Sequence, residues 1–144
     1  MKNSHFEISI DPDANCVFAR HFGLLDMDSI LARGNAVRAH KDFRKNLNRV
    51  VDTTNCELDL CSDEIRRIAD KIAKQGDIRG CYKEALLVDS LLSHGLARVF
   101  DSLSTIPHVK YEIFSSADAS TKRNLNEWLD LPADYEFPEF LSIV

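Results

Sequence analysis

The sequence predicts an α/β fold whose mixed sheet begins with a β-hairpin and whose elements follow the order ββαβαβαβα. Alternating apolar and polar residues at 6–10 and 16–22 flank an Asp-Pro-Asp turn, a pattern typical of two antiparallel strands. Later apolar runs alternate with segments of helical spacing, as in sheets whose parallel strands are joined by right-handed helical crossovers. The length of 144 residues, 44% of them hydrophobic, is sufficient for one domain with its own core.

Four segments have the apolar spacing of helices, and short apolar runs separate them. The most regular begins at Ser62 and places Ile65 and Ile72 on one face. Acidic residues follow Ser62, so we expect it to be the N-cap. The Ser62→Ala substitution should then lower the free energy of unfolding by about 1 kcal/mol. The first helix should run to about Phe43, with Gly34 on its apolar side. The other predicted N-caps are Asp26 or Asp28, Asp89-Ser90, and Ser116 or Asp118. The strands predicted after the hairpin are 49–52, 84–88 and 109–113.

The charge pattern excludes several classes of partner. The chain has 18 Lys and Arg residues against 23 Asp and Glu, a net charge of -5 that repels nucleic-acid phosphates and anionic lipid. No apolar run approaches the roughly 20 residues of a membrane-spanning helix, and the N-terminus lacks the apolar segment of a signal peptide. We therefore expect a cytoplasmic protein that binds no nucleic acid and is not inserted in a membrane.

The four cysteines, Cys16, Cys56, Cys61 and Cys81, form no C-x-x-C pair, and no histidine stands at a familiar zinc spacing from them. In a reducing compartment we expect four separate thiols that bind no metal. Cys61 differs from the others because it immediately precedes a predicted helix, whose dipole would raise its thiolate fraction.

No sequence motif identifies a reaction. The motifs of nucleotide-binding loops, serine hydrolases and zinc proteases are absent, and the spacing places no base beside Cys61 or Ser62. Asp52 ends a predicted strand, where a phospho-acceptor aspartate could lie, but the acidic pair and the lysine of receiver domains are missing. An aspartate that holds loop amides is the favoured interpretation. We expect no enzymatic activity and no cofactor.

The segment that runs from Arg49-Val50-Val51-Asp52 through Asp59-Leu60-Cys61-Ser62 to Ile72 resembles the STAS domain of anti-sigma-factor antagonists. Together with the hairpin and the order of helices, the resemblance covers most of the chain. In that family an aspartate ends a central strand, and a partner kinase phosphorylates a serine in an Asp-Ser-Ser-Gly-like motif that begins the next helix. Here Cys61 falls near the acceptor position and Ser62 one residue later. The resemblance implies a non-enzymatic regulatory or protein-interaction module.

The segment Ser93-His94-Gly95-Leu96-Ala97-Arg98-Val99-Phe100 is similar to a helix of small stand-alone bacterial STAS-like (SpoIIAA-like) proteins of unassigned function. The fold is also similar to that of lipid-exchange domains, which hold an apolar ligand between sheet and helices. The alternative hypothesis is therefore a carrier or sensor of a small apolar or anionic ligand. A well-packed core would favour the interaction module, and a pocket with convergent polar groups would favour the carrier. The candidate interaction or binding residues are Asp52, Thr53, Thr54, Asp59, Cys61, Ser62, Ser93 and His94.

Residues 132–144 depart from the pattern of the domain predicted at 1–131. Between Tyr135 and Ile143 they carry five large apolar residues, and Pro138 prevents this stretch from extending the last helix. Such a segment is too apolar to be simply solvated, so we expect this tail to pack on its own domain or on a second subunit. We also expect a homodimer, formed through the tail or through an exposed helix face.

Overall fold

A computed structural model describes residues 4–89 and 94–143, and it confirms a mixed α/β architecture. The main sheet has five strands in the order β1-β2-β4-β6-β7; β1 and β2 are antiparallel, and the other neighbours are parallel. The strands are β1 His5–Asp11, β2 Cys16–Phe22, β3 Leu24–Asp26, β4 Asn48–Asp52, β5 Glu57–Asp59, β6 Tyr82–Val88 and β7 Val109–Ser115. The helices are α1 Met27–Ala39, α2 Ser62–Lys74, α3 Gly76–Arg79, α4 His94–Leu103 and α5 Thr121–Trp128.

Three short elements in the structure are absent from the predicted order ββαβαβαβα. Strands β3 and β5 pair in parallel as a separate two-stranded sheet, with Leu24 opposite Glu57. Helix α3 is a single turn between α2 and β6. Strands of three residues show no periodicity in a sequence, and here each strand's partner lies about thirty residues away.

The two faces of the main sheet are covered differently. Neighbouring residues of a strand point to opposite faces, so Val50 and Leu87 meet α5 and the tail while Val51 and Leu86 face the other helices. Helices α1, α2 and α4 cover that second face. Four residues of the apolar stripe predicted for α2 are buried there, namely Ile65, Ile68, Ala69 and Ile72, whereas the fifth, Ala73, is exposed.

The first helix begins where the sequence predicts and ends earlier. Asp26 is its N-cap, and its Oδ1 accepts a hydrogen bond from the Ser29 amide at 2.9 Å. The helix ends at Ala39, because His40 adopts extended backbone angles while its amide still bonds the Val37 carbonyl at 3.2 Å. The prediction that it continues to Phe43 is therefore wrong.

The predicted N-cap of α2 is also wrong. Cys61 occupies the cap position, and its amide donates to Glu64 Oε1 at 3.1 Å, as in half of a capping box. Ser62 is instead the first helical residue, and its hydroxyl accepts from Arg98 Nη1 at 2.9 Å. Because this contact is exposed, Ser62→Ala should cost less than the roughly 1 kcal/mol typical of a lost cap.

The start of the last helix lies later than predicted. Its N-cap is Ser120 rather than Ser116 or Asp118. Asp118 forms a turn just before the helix, because its Oδ1 accepts from the Ser120 amide at 2.9 Å. The prediction at Ser90 lies outside the described residues.

Residues 132–143 pack on the sheet of their own chain. The ring of Tyr135 stacks on Phe18 with centroids 6.0 Å apart, and Phe137 meets Phe18 edge-on at 5.8 Å. The Tyr135 hydroxyl donates to Asp11 Oδ2 at 2.6 Å, which ties the tail to the hairpin. A homodimer stays a prediction, and its interface would then be an exposed helix face.

Candidate functional site

Two of the predicted site residues, Asp52 and Thr54, are buried, and hydrogen bonds to Asp52 connect separate segments of the chain. Asp52 is 0% exposed, and its Oδ1 accepts from the amide and the hydroxyl of Thr54 at 2.9 and 2.7 Å. Its Oδ2 accepts from the amide of Ser142 at 2.6 Å and lies 3.8 Å from Arg20 Nε. Asp52 therefore fixes the loop after β4 and the tail, as the favoured interpretation of its sequence position expects.

The other predicted site residues that the structure describes are separated from one another. Asp59, Cys61 and Ser62 are exposed at the junction of β5 and α2. Thr53 is half-buried, and both its amide and its hydroxyl donate to the Leu87 carbonyl at 2.9 Å. Ser93 lies outside the described residues, as does the side chain of His94, whose backbone begins α4. Those predicted site residues whose side chains the structure describes are not brought together in one site.

A cavity of about 60 Å³ lies between the main sheet and helices α1, α2 and α4. Its walls are aliphatic side chains from these helices and from β3, β4 and β6, interrupted by Arg33, Thr53 and Glu84. One buried water needs roughly 10–15 Å³ of such space, and a dry cavity of about 150 Å³ can hold benzene. The cavity therefore has room for a few atoms of an aliphatic ligand next to two charged side chains.

Polar residues form a row across the sheet, and one of them, Glu84, lines this cavity. Arg49 of β4 lies opposite Glu84 of β6, which lies opposite Tyr111 of β7. Arg49 is 4% and Glu84 5% exposed, and the Arg49 guanidinium lies 5.1 Å from the centre of the Tyr82 ring. Burial raises the pKa of Tyr111, and the nearby Glu84 raises it further. The tyrosine therefore stays protonated.

Helix α1 contributes a second arginine, Arg33, to the wall of the cavity. Arg33 Nη1 lies 2.9 Å from Nε2 of His21, which is 0% exposed. Although Arg33 as a whole keeps some contact with solvent, its guanidinium is inside the fold. Burial lowers the pKa of Arg33, whereas Glu84 raises it and Arg49 lowers it further.

The positive charge at this site exceeds the negative charge. The charges of Glu84, Arg49 and Arg79 all act on Arg33, yet within the described residues no carboxylate oxygen comes within 4.0 Å of the nitrogens of the three arginines. The buried Nε of Arg49 and the hydroxyl of Tyr111 also have no hydrogen-bond partner in that part of the chain. Buried cations cost stability unless an anion compensates them.

The buried histidine predicts a loss of stability in mild acid. Burial and the nearby Arg33 lower the pKa of His21 from its ordinary 6.5 to about 3. Below pH 6.5 the unfolded chain therefore takes up a proton that the folded chain refuses. The free energy of unfolding should fall by up to about 1.4 kcal/mol per pH unit down to about pH 3.

Urea denaturation between pH 7 and pH 4.5 measures this dependence. The His21→Gln variant should show a shallower slope than the parent chain, because the titrating group is gone. The His5→Gln variant, altered at an exposed histidine, is the matched control and should keep the parent slope. Equal slopes for all three chains would contradict the assignment to His21.

The charged residues in and near the cavity do not stand out in the sequence. Arg33 falls on the polar side of the first helix, together with Arg38, and Arg49 opens a predicted strand, so neither stood out. One signal was present: Arg49 and Glu84 are charged residues in strands that the apolar runs predict to be buried. Their proximity depends on the register of β4 and β6, which the sequence does not reveal.

No protein-family model matches the chain, and no curated protein or solved structure shows significant similarity to it. Within residues 4–89 and 94–143, no helix has the length and apolar character needed to cross a membrane. Across the same ranges, no cluster of three or more His, Cys, Asp or Glu side chains is arranged to hold a metal ion. No disulfide joins the four cysteines, and burial raises the pKa of the Cys16 thiol.

Proposed function

We propose that the chain is a non-enzymatic carrier or sensor that binds a small amphipathic anion between the main sheet and helices α1, α2 and α4. The observation that carries the proposal is the aliphatic cavity into which Arg33 and Glu84 project. An aliphatic wall favours an apolar body, and the positive charges of Arg49 and Arg79 near the Arg33–Glu84 pair favour a negatively charged head. We also propose a STAS-like relationship, supported by the N-terminal hairpin, the parallel strands and the β4 to α2 segment.

The anion would compensate charges that the fold leaves without partners. Arg49 is almost fully buried and Arg33 is held through neutral His21, so neither guanidinium is neutralised by a direct ion pair in the described chain. A carboxylate or phosphate that enters the cavity meets Arg33 in its wall, and an ion pair formed there is stronger in the low-dielectric interior than it would be in water. Ligand binding should therefore raise the stability of the fold.

Titration with butyrate and 1-butanol, followed by amide NMR spectra at pH 7, tests the proposal. We expect butyrate to shift the amide signals of Val51 and Leu86 and to bind more tightly than butanol, because only butyrate carries the charge. The Arg33→Met variant should lose this preference and still bind butanol, since the aliphatic walls are intact.

A pair of valine variants provides the steric control. Val51→Ile combined with Val88→Ile adds two methyl groups inside the cavity and should abolish binding of butyrate. Val50→Ile makes the same chemical change on the opposite face of the sheet and should leave binding intact. Shifts that persist in the filled cavity would reject it as the site.

The second candidate is the protein-interaction module. It is supported by the exposure of Asp59, Cys61 and Ser62 at the β5 to α2 junction, where Arg98 of α4 contacts Ser62 at 2.9 Å. If neither butyrate nor butanol binds the parent chain, the carrier proposal fails and this exposed junction becomes the leading candidate. Binding that is confined to the cavity favours the carrier.

A further inference from the structure

A narrow groove between α1 and α2 has an unusual concentration of positive charge. Its volume is about 20 Å³, and its walls include Arg33, Arg38, Lys71 and Arg79. Among the described residues none that lines it is acidic, although the chain as a whole has a net charge of -5. The groove is therefore a locally basic site on an acidic protein.

Neutral oxygen atoms hold two of these arginines in place. The side-chain oxygen of Gln75 accepts from Arg38 Nη1 at 3.3 Å and from Arg79 Nε at 2.7 Å. The Asn35 side-chain oxygen also accepts from Arg38, and Arg79 Nη1 donates to the Tyr82 hydroxyl at 3.2 Å. Amide and hydroxyl acceptors orient the guanidinium groups without neutralising them, which leaves their charge available to an anion.

The two guanidinium groups converge on Gly34. A side chain begun there would place its Cβ 3.6 Å from Arg79 Nη2 and 3.8 Å from Arg38 Nη1. Two like charges so close to one point repel each other; burial lowers the pKa of Arg38, and the charge of Arg79 lowers it further. An anion placed between them would relieve this repulsion.

We infer that this groove binds a phosphate group. A carboxylate has one charge and two oxygens, which a single arginine can satisfy, whereas four cations from two helices and the α3 turn match the oxygens and charge of a phosphate. As it stands, the groove has room for about one water, so phosphate binding requires the exposed Lys71 side chain to move aside and Arg38 to release its contacts with Gln75 and Asn35.

The inference deepens the proposed function, and it rests on that proposal only for the apolar part of the ligand. Arg33 lines both the groove and the aliphatic cavity. A ligand with its phosphate in the groove can therefore extend its apolar body past Arg33 into the cavity. The class of ligand that this arrangement fits is a small alkyl phosphate monoester.

Isothermal titration with inorganic phosphate and with butyl phosphate, at ionic strength held constant with sodium chloride, tests the inference. We expect both to bind, and butyl phosphate to bind more tightly than butyrate. The Arg38→Gln, Lys71→Gln variant should weaken binding of inorganic phosphate at least tenfold. The Lys45→Gln, Lys74→Gln variant changes net charge equally, outside the groove, and should bind phosphate as the parent chain does.

The outcomes separate this inference from the proposed function. Inorganic phosphate that binds the Val51→Ile, Val88→Ile chain but not the groove variant supports the groove even if the cavity takes no ligand. Equal weakening by the groove and control variants would show general charge attraction and overturn the inference. Butyrate binding with no phosphate binding would also overturn it, and would leave the carrier proposal standing.

Discussion

A chain that ends at Leu131 should lose most of its stability and associate through the face of the sheet that the tail covers. The tail packs Tyr135, Phe137 and Leu141 against a core that includes Phe18 and other residues of the central strands. Each large apolar side chain contributes about 1.5–3 kcal/mol when buried, so the loss should be on the order of 5 kcal/mol. That amount equals the whole stability of many domains.

Urea denaturation and sedimentation of the two chain lengths measure these effects. Because the shortened chain could fail to fold, Phe137→Ala provides a milder version and should cost about 2–4 kcal/mol. Glu136→Ala alters the exposed neighbour and should stay within about 0.5 kcal/mol of the parent chain. A shortened chain that is monomeric and as stable as the parent would show that the tail contributes nothing to the core.

Asp52→Ala should cost about 3–5 kcal/mol of stability. The carboxylate is 0% exposed and accepts three hydrogen bonds, two from Thr54 and one from Ser142. Its removal leaves buried donors without acceptors and leaves Arg20 without its nearest negative charge. The same substitution also releases the tail from the end of β4, so proteolysis near Ser142 should become faster.

Chemical denaturation compares Asp52→Ala with Asp59→Ala, which removes an aspartate from the end of β5. Asp59 is exposed, and its loss should change the free energy of unfolding by less than about 0.5 kcal/mol. An Asp52→Ala chain whose denaturation midpoint matches that of Asp59→Ala would contradict the anchoring role.

The regular elements could be predicted because their residues repeat a simple pattern. The hairpin β1–β2 follows from alternation on both sides of a turn, and α2 follows from isoleucines at helical spacing. The exact N-cap of α2 is harder to predict from the sequence, since Cys61 and Ser62 are adjacent and each can precede a helix. Which of the two is the cap depends on Glu64, which reaches the Cys61 amide.

The candidate site could not be predicted, because its parts meet only through tertiary packing. Arg33 looks like a surface residue of an amphipathic helix, but its long side chain turns inward to the buried His21. Arg49 and Glu84 become neighbours through the parallel register of β4 and β6. The register between strands joined by a long crossover leaves no trace in the local pattern.

Because the tail follows all the strands in the sequence, the part of the core that it covers can form only late in synthesis. Residues 132–143 are translated after all seven strands, yet they join Tyr135 to Asp11 and Ser142 to Asp52 across separations of 124 and 90 residues. During synthesis the sheet therefore emerges with one apolar face covered only in part, by α5, and such a face is prone to aggregate. The core around Phe18 closes only after residues 132–143 have been added to the chain, so this half of the molecule completes its fold later than α1 and the hairpin, which can associate earlier.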